Sequence, residues 1–262
     1  MQTGQKVIHQ RRPELGTGII QALGDAGVCD VQFATARFSH IPLTQLAAVP
    51  TNDEPPAALL KSPSPQEQLN HLMRRYNIPA LWHITSRDNV PNILQHGLMS
   101  RHQVQRRSQP IVDISDGEVQ QRRASRVGAL PHSLHDYVPL YLRVRNPMLF
   151  LRRRYNASLC LLEIAPAVTL DSEFAIADGN AACMATRFHD RLSDLRFLDW
   201  QALDQEYWNS VPDGKRKRCA EVLIYSRVTP GHILRVHAAT LQTCQQLQAQ
   251  GITAQYSPQL FF

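Results

Sequence analysis

The sequence predicts an α+β protein in which a small all-β piece precedes a larger mixed core. Three observations predict it. From residue 67 onward, strand-like and helix-like patterns interleave without a regular βαβ repeat, as in an α+β core. Residues 1–50 hold short alternating segments punctuated by glycine, the spacing of a miniature barrel. Between the two parts, residues 51–66 contain four of the 17 prolines and read as a linker.

In the first part, Gly16 and Gly18 bracket an expected turn, and Ile19-Ile20 runs into a tight Gly24-Asp25-Ala26-Gly27. Val28–Phe33 alternates, with Val31 and Phe33 on one face, and Arg37–Ile41 alternates again before Pro42, Leu43 and Leu46. The run GTGIIQALGDAGVCDVQFATARFSHIPLTQL resembles the small Tudor-like barrels appended to nucleic-acid enzymes. That resemblance implies either an accessory nucleic-acid contact or a structural cap.

In the second part, Ser64 or Pro65 opens a helix that runs to about Arg75. A strand, Leu81–Ile84, follows. Thr85 or Ser86 caps the next helix, whose Val90, Ile93 and Leu94 fall at helical spacing before Gly97 stops it. Ile111–Gly117 reads as a loop and Glu118–Ser125 as a short helix. Strands are expected at Val138–Leu142, Leu159–Ile164 and Val222–Tyr225, then a helix near Ala239–Gln250, a stop at Gly251 and a last strand at Ile252–Tyr256. The stretch from Asp171 to Arg218 reads as a long loop.

Composition narrows the class. Hydrophobic residues are 43% and charged residues 19% of the chain, an ordinary balance for a protein with a real core. The longest apolar runs are interrupted by Glu163 and Glu221 and fall short of the roughly 20 residues a membrane span needs. The N-terminus lacks the apolar segment of a signal peptide, so a cytoplasmic location is expected. Five cysteines, at positions 29, 160, 183, 219 and 244, show no CxxC spacing; reduced thiols and no metal site are expected. The formal net charge of +6 gathers in Arg106-Arg107, Arg122-Arg123, Arg126, Arg152-Arg153-Arg154 and Lys215-Arg216-Lys217-Arg218. Repeated cationic clusters suit a polyanion, because they replace counterions condensed on a phosphate backbone.

Three elements could carry chemistry. Glu221 stands at the entrance of the apolar strand Val222–Tyr225, where a carboxylate is costly unless paired or used. The plain alternative is an edge residue facing solvent. His83 and Thr85 share one side of their strand and can offer hydrogen bonds to a ligand lying across it. A structural role for His83 is the competing reading. Tyr137 and Tyr141 share a face of a third strand, and with Met148 nearby they suit a flat heteroaromatic ring; otherwise they are core.

Taken together and in order, these blocks resemble the DarT family of DNA ADP-ribosyltransferase toxins. The resembling text is LWHITSRDNVPNILQHGLMS, QQRRASRVGA, HDYVPLYLRVRNPMLF, FAIADGNAACMATRF, KRKRCAEVLIYSRV and ITAQYSPQLFF, over roughly residues 78–262. The resemblance implies an ADP-ribosyltransferase fold, two small packed sheets with flanking helices, binding NAD as co-substrate in the cleft between them. It implies that Glu221 is the catalytic carboxylate, that His83 and Thr85 contact NAD, and that Asn89 shapes that pocket. It implies a catalytic arginine in the RR block, Arg122 first and Arg123 second, with Arg122 anchoring the pyrophosphate. Tyr141 and Met148 fall in the segment that walls the nicotinamide. The family's PFYF strand reads Pro139-Leu140-Tyr141-Leu142 here, so the tyrosine is kept and its aromatic neighbours are lost.

The implied acceptor is a base of single-stranded DNA, with thymidine expected. Acting on a single strand avoids the cost of unstacking a duplex. Arg187 and the run Lys215, Arg216, Lys217 and Arg218 are expected to track the phosphates, with Trp200 or Trp208 either stacking on a base or anchoring the core. The implied setting is a toxin–antitoxin pair with a macrodomain antitoxin, blocking replication and serving in phage defence. The alternatives are an ADP-ribosyltransferase acting on RNA or another acceptor, and a catalytically silent nucleic-acid-binding module.

Overall fold

A computed structural model describes residues 1–49, 63–108, 110–126 and 129–262. The expected linker lies mostly outside the described residues, and its last two residues, Pro65 and Gln66, already belong to a helix. The chain divides into two compact units, Met1–Ser64 and Pro65–Phe262.

The first unit is an antiparallel sheet of β1 (Lys6–His9), β2 (Thr17–Leu23), β3 (Val28–Gln32), β4 (Arg37–Pro42) and β5 (Leu46–Ala48). Their order is β4-β3-β2-β1-β5. The two edge strands β4 and β5 are consecutive and joined only by the turn Leu43–Gln45, so the sheet must curl back on itself. Register shifts between β2 and β3 and between β3 and β4 provide the bends. Val7, Ile20, Val31, Phe33, Ile41 and Leu46 fill the interior. Gly16 does take a positive φ of 70° in a turn, but Gly18 lies inside β2. A Cβ there would meet Val31 at 2.5 Å and Phe33 at 2.8 Å, so the glycine admits the core rather than the turn.

The second unit opens with α1 (Pro65–Arg75), β6 (Leu81–Ser86), α2 (Val90–His96), β7 (Leu98–Met99), α3 (Arg101–Arg106) and α4 (Gly117–Ser125). Next come β8 (Tyr137–Tyr141), α5 (Pro147–Leu151), β9 (Leu159–Ile164), α6 (Val168–Asp171), β10 (Phe174–Ala177) and β11 (Phe188–His189). The rest is α7 (Trp200–Asp204), α8 (Gly214–Lys217), β12 (Glu221–Tyr225), β13 (Arg227–Val228), β14 (Ile233–Ala238), α9 (Leu241–Gln248) and β15 (Ala254–Tyr256). Strands β7, β10, β11, β13 and β14 and helices α3 and α5 to α8 are additions to the sequence reading. Residues 171–218 are not one loop, because Phe174–Ala177 pairs along β12 in the main sheet.

Eight strands follow the order β11-β10-β12-β8-β6-β9-β14-β15. The join at the middle is slight. Strand β6 pairs with β9 over six residues, Leu81 to Ser86, but with β8 only at Trp82 opposite Tyr141. Beyond that pair β6 and β8 part, leaving two four-stranded halves with a cleft between them, the two small sheets of the expected fold. Ser86 caps the turn after β6 by accepting from the Asp88 amide, and Gly97, at φ 88°, ends α2. Among the described residues no helix is long and apolar enough to cross a membrane.

Among the described residues, each unit draws its core from its own residues. Deleting residues 1–62 is therefore expected to leave a cooperatively folding protein. Thermal unfolding followed by circular dichroism checks this. A truncated chain that aggregates or lacks a cooperative transition would show that the boundary is misplaced.

Candidate active site

A pocket of about 1050 Å³ opens where β6 and β8 part. His83, Thr85, Asn89, Arg122, Arg123, Tyr141, Met148 and Glu221 all line it. Every catalytic and co-substrate position expected from sequence therefore meets in one cavity, although these residues span about half of the chain.

Glu221 is the first residue of β12, between Tyr141 on β8 and Ala177 on β10, and is only 2% exposed. It is not an edge residue facing solvent. Its carboxylate accepts from the Ala181 amide at 2.9 Å and faces the Arg123 guanidinium at 3.4 and 3.5 Å. Burial pushes its pKa up, and the charge of Arg123 and the Ala181 N–H oppose that rise.

Helix α4 decides which arginine reaches it. Asp116 caps the helix by accepting from the Glu118 and Val119 amides. Val119 and Arg123, four residues apart, fall on one face, and Arg123 is buried. Its second nitrogen donates to the Leu134 carbonyl at 3.4 Å. Arg122 points elsewhere: its side chain is 56% exposed and pairs with Glu118 at 3.8 Å on the rim. The first-ranked arginine of the sequence reading is thus the outer one, and the second-ranked Arg123 touches the carboxylate.

His83 fills the gap left by the parting strands. Its Nδ1 lies 3.0 Å from the Pro139 carbonyl, and burial holds the imidazole pKa below its usual range. A neutral ring that donates from Nδ1 leaves Nε2 as an acceptor. Thr85 is buried, and its hydroxyl accepts from Asn89 at 3.2 Å. The same Asn89 amide bonds both ways with Val112, at 2.9 and 2.8 Å, and so fixes the segment that covers the pocket. Arg101 on Asp113 at 2.7 Å and Arg152 on the Ile114 carbonyl at 2.8 Å tether that segment further. Tyr141 stays a neutral phenol, its pKa raised first by burial and then by the Glu221 charge. Met148 sits at the start of α5, whose N-cap Asn146 is fully buried and accepts from the Leu149 amide at 3.1 Å.

Sequence reasoning quoted residues 178–187 within a resembling block but gave them no role as a wall beside Glu221. Arg126 donates to the carbonyls of Cys183 and Thr186 and lies 5.0 Å over the Phe188 ring, fixing the turn whose Ala181 amide reaches Glu221. Its signals in the sequence were its place among the cationic groups and in the QQRRASRVGA block. Cys183 and the exposed Met184 line the same wall.

The expected phosphate-tracking run is divided by the structure. Arg216 is mostly buried, pairs with Asp178 at 2.6 Å and also bonds Asp213 and Thr186. Gly179 packs flat on it; a Cβ there would meet Arg216 Cγ at 2.9 Å. Lys217 is bound to Asp199 at 2.8 Å. Arg218 is buried, donating to the carbonyls of Arg145 and Leu203. Only Lys215 and Arg187 remain exposed. Trp200 is an anchor, stacked on Tyr76 at 4.5 Å with its indole N–H on the Leu195 carbonyl at 2.7 Å.

Comparison with known proteins identifies the family and the fold. Residues 82–257 match the family model described as "ssDNA thymidine ADP-ribosyltransferase, DarT". A DNA ADP-ribosyl transferase–DNA ADP-ribosyl glycohydrolase fusion protein of Thermosipho africanus is 30% identical over 173 residues, 64% of this chain and 44% of that protein. The chain therefore spans less than half the length of that fusion. A DNA ADP-ribosyl transferase of Thermus sp. strain 2.9 is 32% identical over 166 residues, 59% of this chain and 78% of that one. The structure of Thermus sp. 2.9 DarT with ADP-ribosylated single-stranded DNA covers 71% of this chain and 97% of its own, at TM-score 0.64 and 22% identity. That protein has also been solved with NAD+, at TM-score 0.58 over 71% of this chain and 98% of its own, at 22% identity. With the family match covering more than half of its length, the chain belongs to the DarT family of single-stranded DNA thymidine ADP-ribosyltransferases.

Proposed function

We propose that this chain transfers ADP-ribose from NAD to a thymidine base of single-stranded DNA, as the toxin of a toxin–antitoxin pair. The observation that carries the reading is the buried Glu221–Arg123 pair facing a cavity whose other wall offers His83 and Thr85. At about 1050 Å³ the cavity stands at the top of the usual range for small-molecule sites, roughly 300–1,000 Å³, as a dinucleotide with an incoming base requires. The NAD complex of the Thermus sp. protein supports the choice of co-substrate. NAD supplies a ribose already bearing a cationic leaving group, so departure of neutral nicotinamide builds positive charge on the sugar.

Glu221 faces that charge from a site with little water, where its own charge acts at close to full strength. Arg123 keeps the carboxylate ionised and oriented. His83 offers an acceptor and Thr85 a hydroxyl to the sugar hydroxyls, and Tyr141 and Met148 wall the flat ring. Arg122, on the rim, is placed for an outer phosphate. As the new C–N bond forms, the thymine ring nitrogen loses its proton. Glu221 is the base at hand, and its raised pKa suits it to accept. The fusion of transferase to glycohydrolase in the Thermosipho protein supports a partner that removes the mark, a macrodomain hydrolase for this chain. Unremoved adducts would block replication, an outcome suited to phage defence.

Glu221→Ala is expected to lower transfer by about 10³-fold or more while leaving NAD affinity within a few-fold, because the charge it serves exists mainly in the transition state. Mass spectrometry of modified oligonucleotides and calorimetry with NAD check both halves. Rapid transfer by this variant would end the assignment.

Arg123→Gln is expected to cut turnover at least about 100-fold, and Arg122→Ala only a few-fold. Transfer needs the carboxylate ionised, so the rate should rise with pH through the raised pKa of Glu221. Losing Arg123 removes a group that lowers that pKa, so the acid limb of the kcat/KM profile should move to higher pH. An unmoved limb, or an inactive Arg122→Ala beside an active Arg123→Gln, would return the catalytic role to Arg122.

A further inference from the structure

We propose that Arg145, Phe150, Arg153, Arg154, Trp208 and Phe262 form a second binding surface for single-stranded DNA, leading away from the pocket; the inference rests on the DNA reading of that pocket. Of the run Arg152-Arg153-Arg154, the site draws in only Arg152. The neighbourhood of the run is aromatic. The rings of Phe150, Trp208 and Phe262 form a closed triangle, with centroids 5.2, 5.7 and 5.9 Å apart and each pair edge to face. Arg153 lies 3.9 Å over the Phe150 ring and Arg145 4.6 Å over that of Phe262. Phe150 is 37% exposed, Trp208 and Phe262 are half-buried, and the three arginines are exposed.

Two further facts give the surface its occupant. Among the described residues, Arg145, Arg153 and Arg154 have no carboxylate partner, whereas Arg123, Arg143, Arg216 and Arg235 each have one. Cations left unpaired beside one another repel unless a polyanion lies across them. The surface also continues the pocket: Phe150 shares α5 with Met148 and Leu151, which line the cavity, and Arg152 follows directly. On the other side Gly214 packs against the Trp208 carbonyl and is followed by Lys215, again on the cavity rim. A strand whose target base enters the pocket passes this face with its neighbouring bases unpaired. Such bases stack on aromatic rings whatever their sequence, while guanidinium forks take the phosphates. A duplex hides the base faces that the rings would meet.

The test is direct binding, without NAD, of labelled oligothymidylates of about 4 and about 20 nucleotides to the full chain across a salt series. Arg145→Gln/Arg153→Gln/Arg154→Gln is expected to weaken the long strand about tenfold or more and to make the log–log salt slope shallower by about 2, as the loss of three phosphate contacts requires. The short strand and NAD affinity should be unchanged. Trp208→Ala should weaken the long strand several-fold. Trp208→Phe, which keeps a ring in place, should restore most of it and guards against misfolding of the alanine variant. A long-strand affinity and salt slope unaltered in the triple variant would overturn the proposal and leave the face to a protein partner. Equal losses for short and long strands would overturn it too. A wild-type chain that binds long strands through this face yet transfers nothing from NAD would remove the function proposed above and keep this surface.

Discussion

The architecture of this site depends on holding one almost fully buried carboxylate against a single guanidinium. Glu221 is 2% exposed, and desolvation alone would favour its protonated form. The opposing groups are one guanidinium and one backbone amide, on segments far apart in the chain. Each needs its own support. Arg123 is aimed by the capped helix α4 and by the Leu134 carbonyl. The Ala181 amide is aimed by a turn that Arg126 and Arg216 hold from two sides. A buried ion pair of this kind adds little to net stability, since desolvation offsets the attraction. The structure around it therefore serves orientation.

The second constraint is the broken join of the sheet. If β6 and β8 paired along their full length, as β6 and β9 do, the cleft would close and His83 would face an unbroken sheet. The parting costs backbone hydrogen bonds, and His83 recovers one by donating to the Pro139 carbonyl across the gap. The same bond sets the tautomer and leaves an acceptor toward the pocket. The segment over the cavity is tied at Val112, Asp113 and Ile114 by Asn89, Arg101 and Arg152. The walls of the cavity are thus held by the protein's own contacts.

The arginines fall into two populations with different work. Arg123, Arg126, Arg216 and Arg218 are wholly or largely buried and bonded to carboxylates or carbonyls. The first three build the wall around Glu221, and Arg218 ties the approach to β12 to the Arg145 and Leu203 carbonyls. Arg145, Arg153 and Arg154 are exposed and lack carboxylate partners among the described residues. A net charge of +6 does not separate these two groups, because both count equally in it.

By itself the sequence indicated a small part ahead of a larger one and about half of the helix and strand positions, and its family resemblance pointed to residues that line the pocket. Period-two alternation and glycine stops are local signals, and Gly97 and Gly251 both end helices at positive φ. Glu221 was legible for a related reason: a carboxylate opening an apolar strand is costly enough to require a use. Three matters were left to tertiary structure. Arg122 and Arg123 are neighbours on a helix with one large apolar residue, Val119, to orient it, so only the packing of α4 decides which points inward. The run Lys215–Arg218 reads as a basic surface, but its partners Asp178, Asp199 and Leu203 are distant in sequence and become visible only when the chain is folded. Strand β10 carries the polar turn Asp178-Gly179-Asn180 at its end, and its pairing with β12 is a long-range contact that no local pattern encodes. Local propensity sets the elements, and long-range partners choose which of their side chains are free to act.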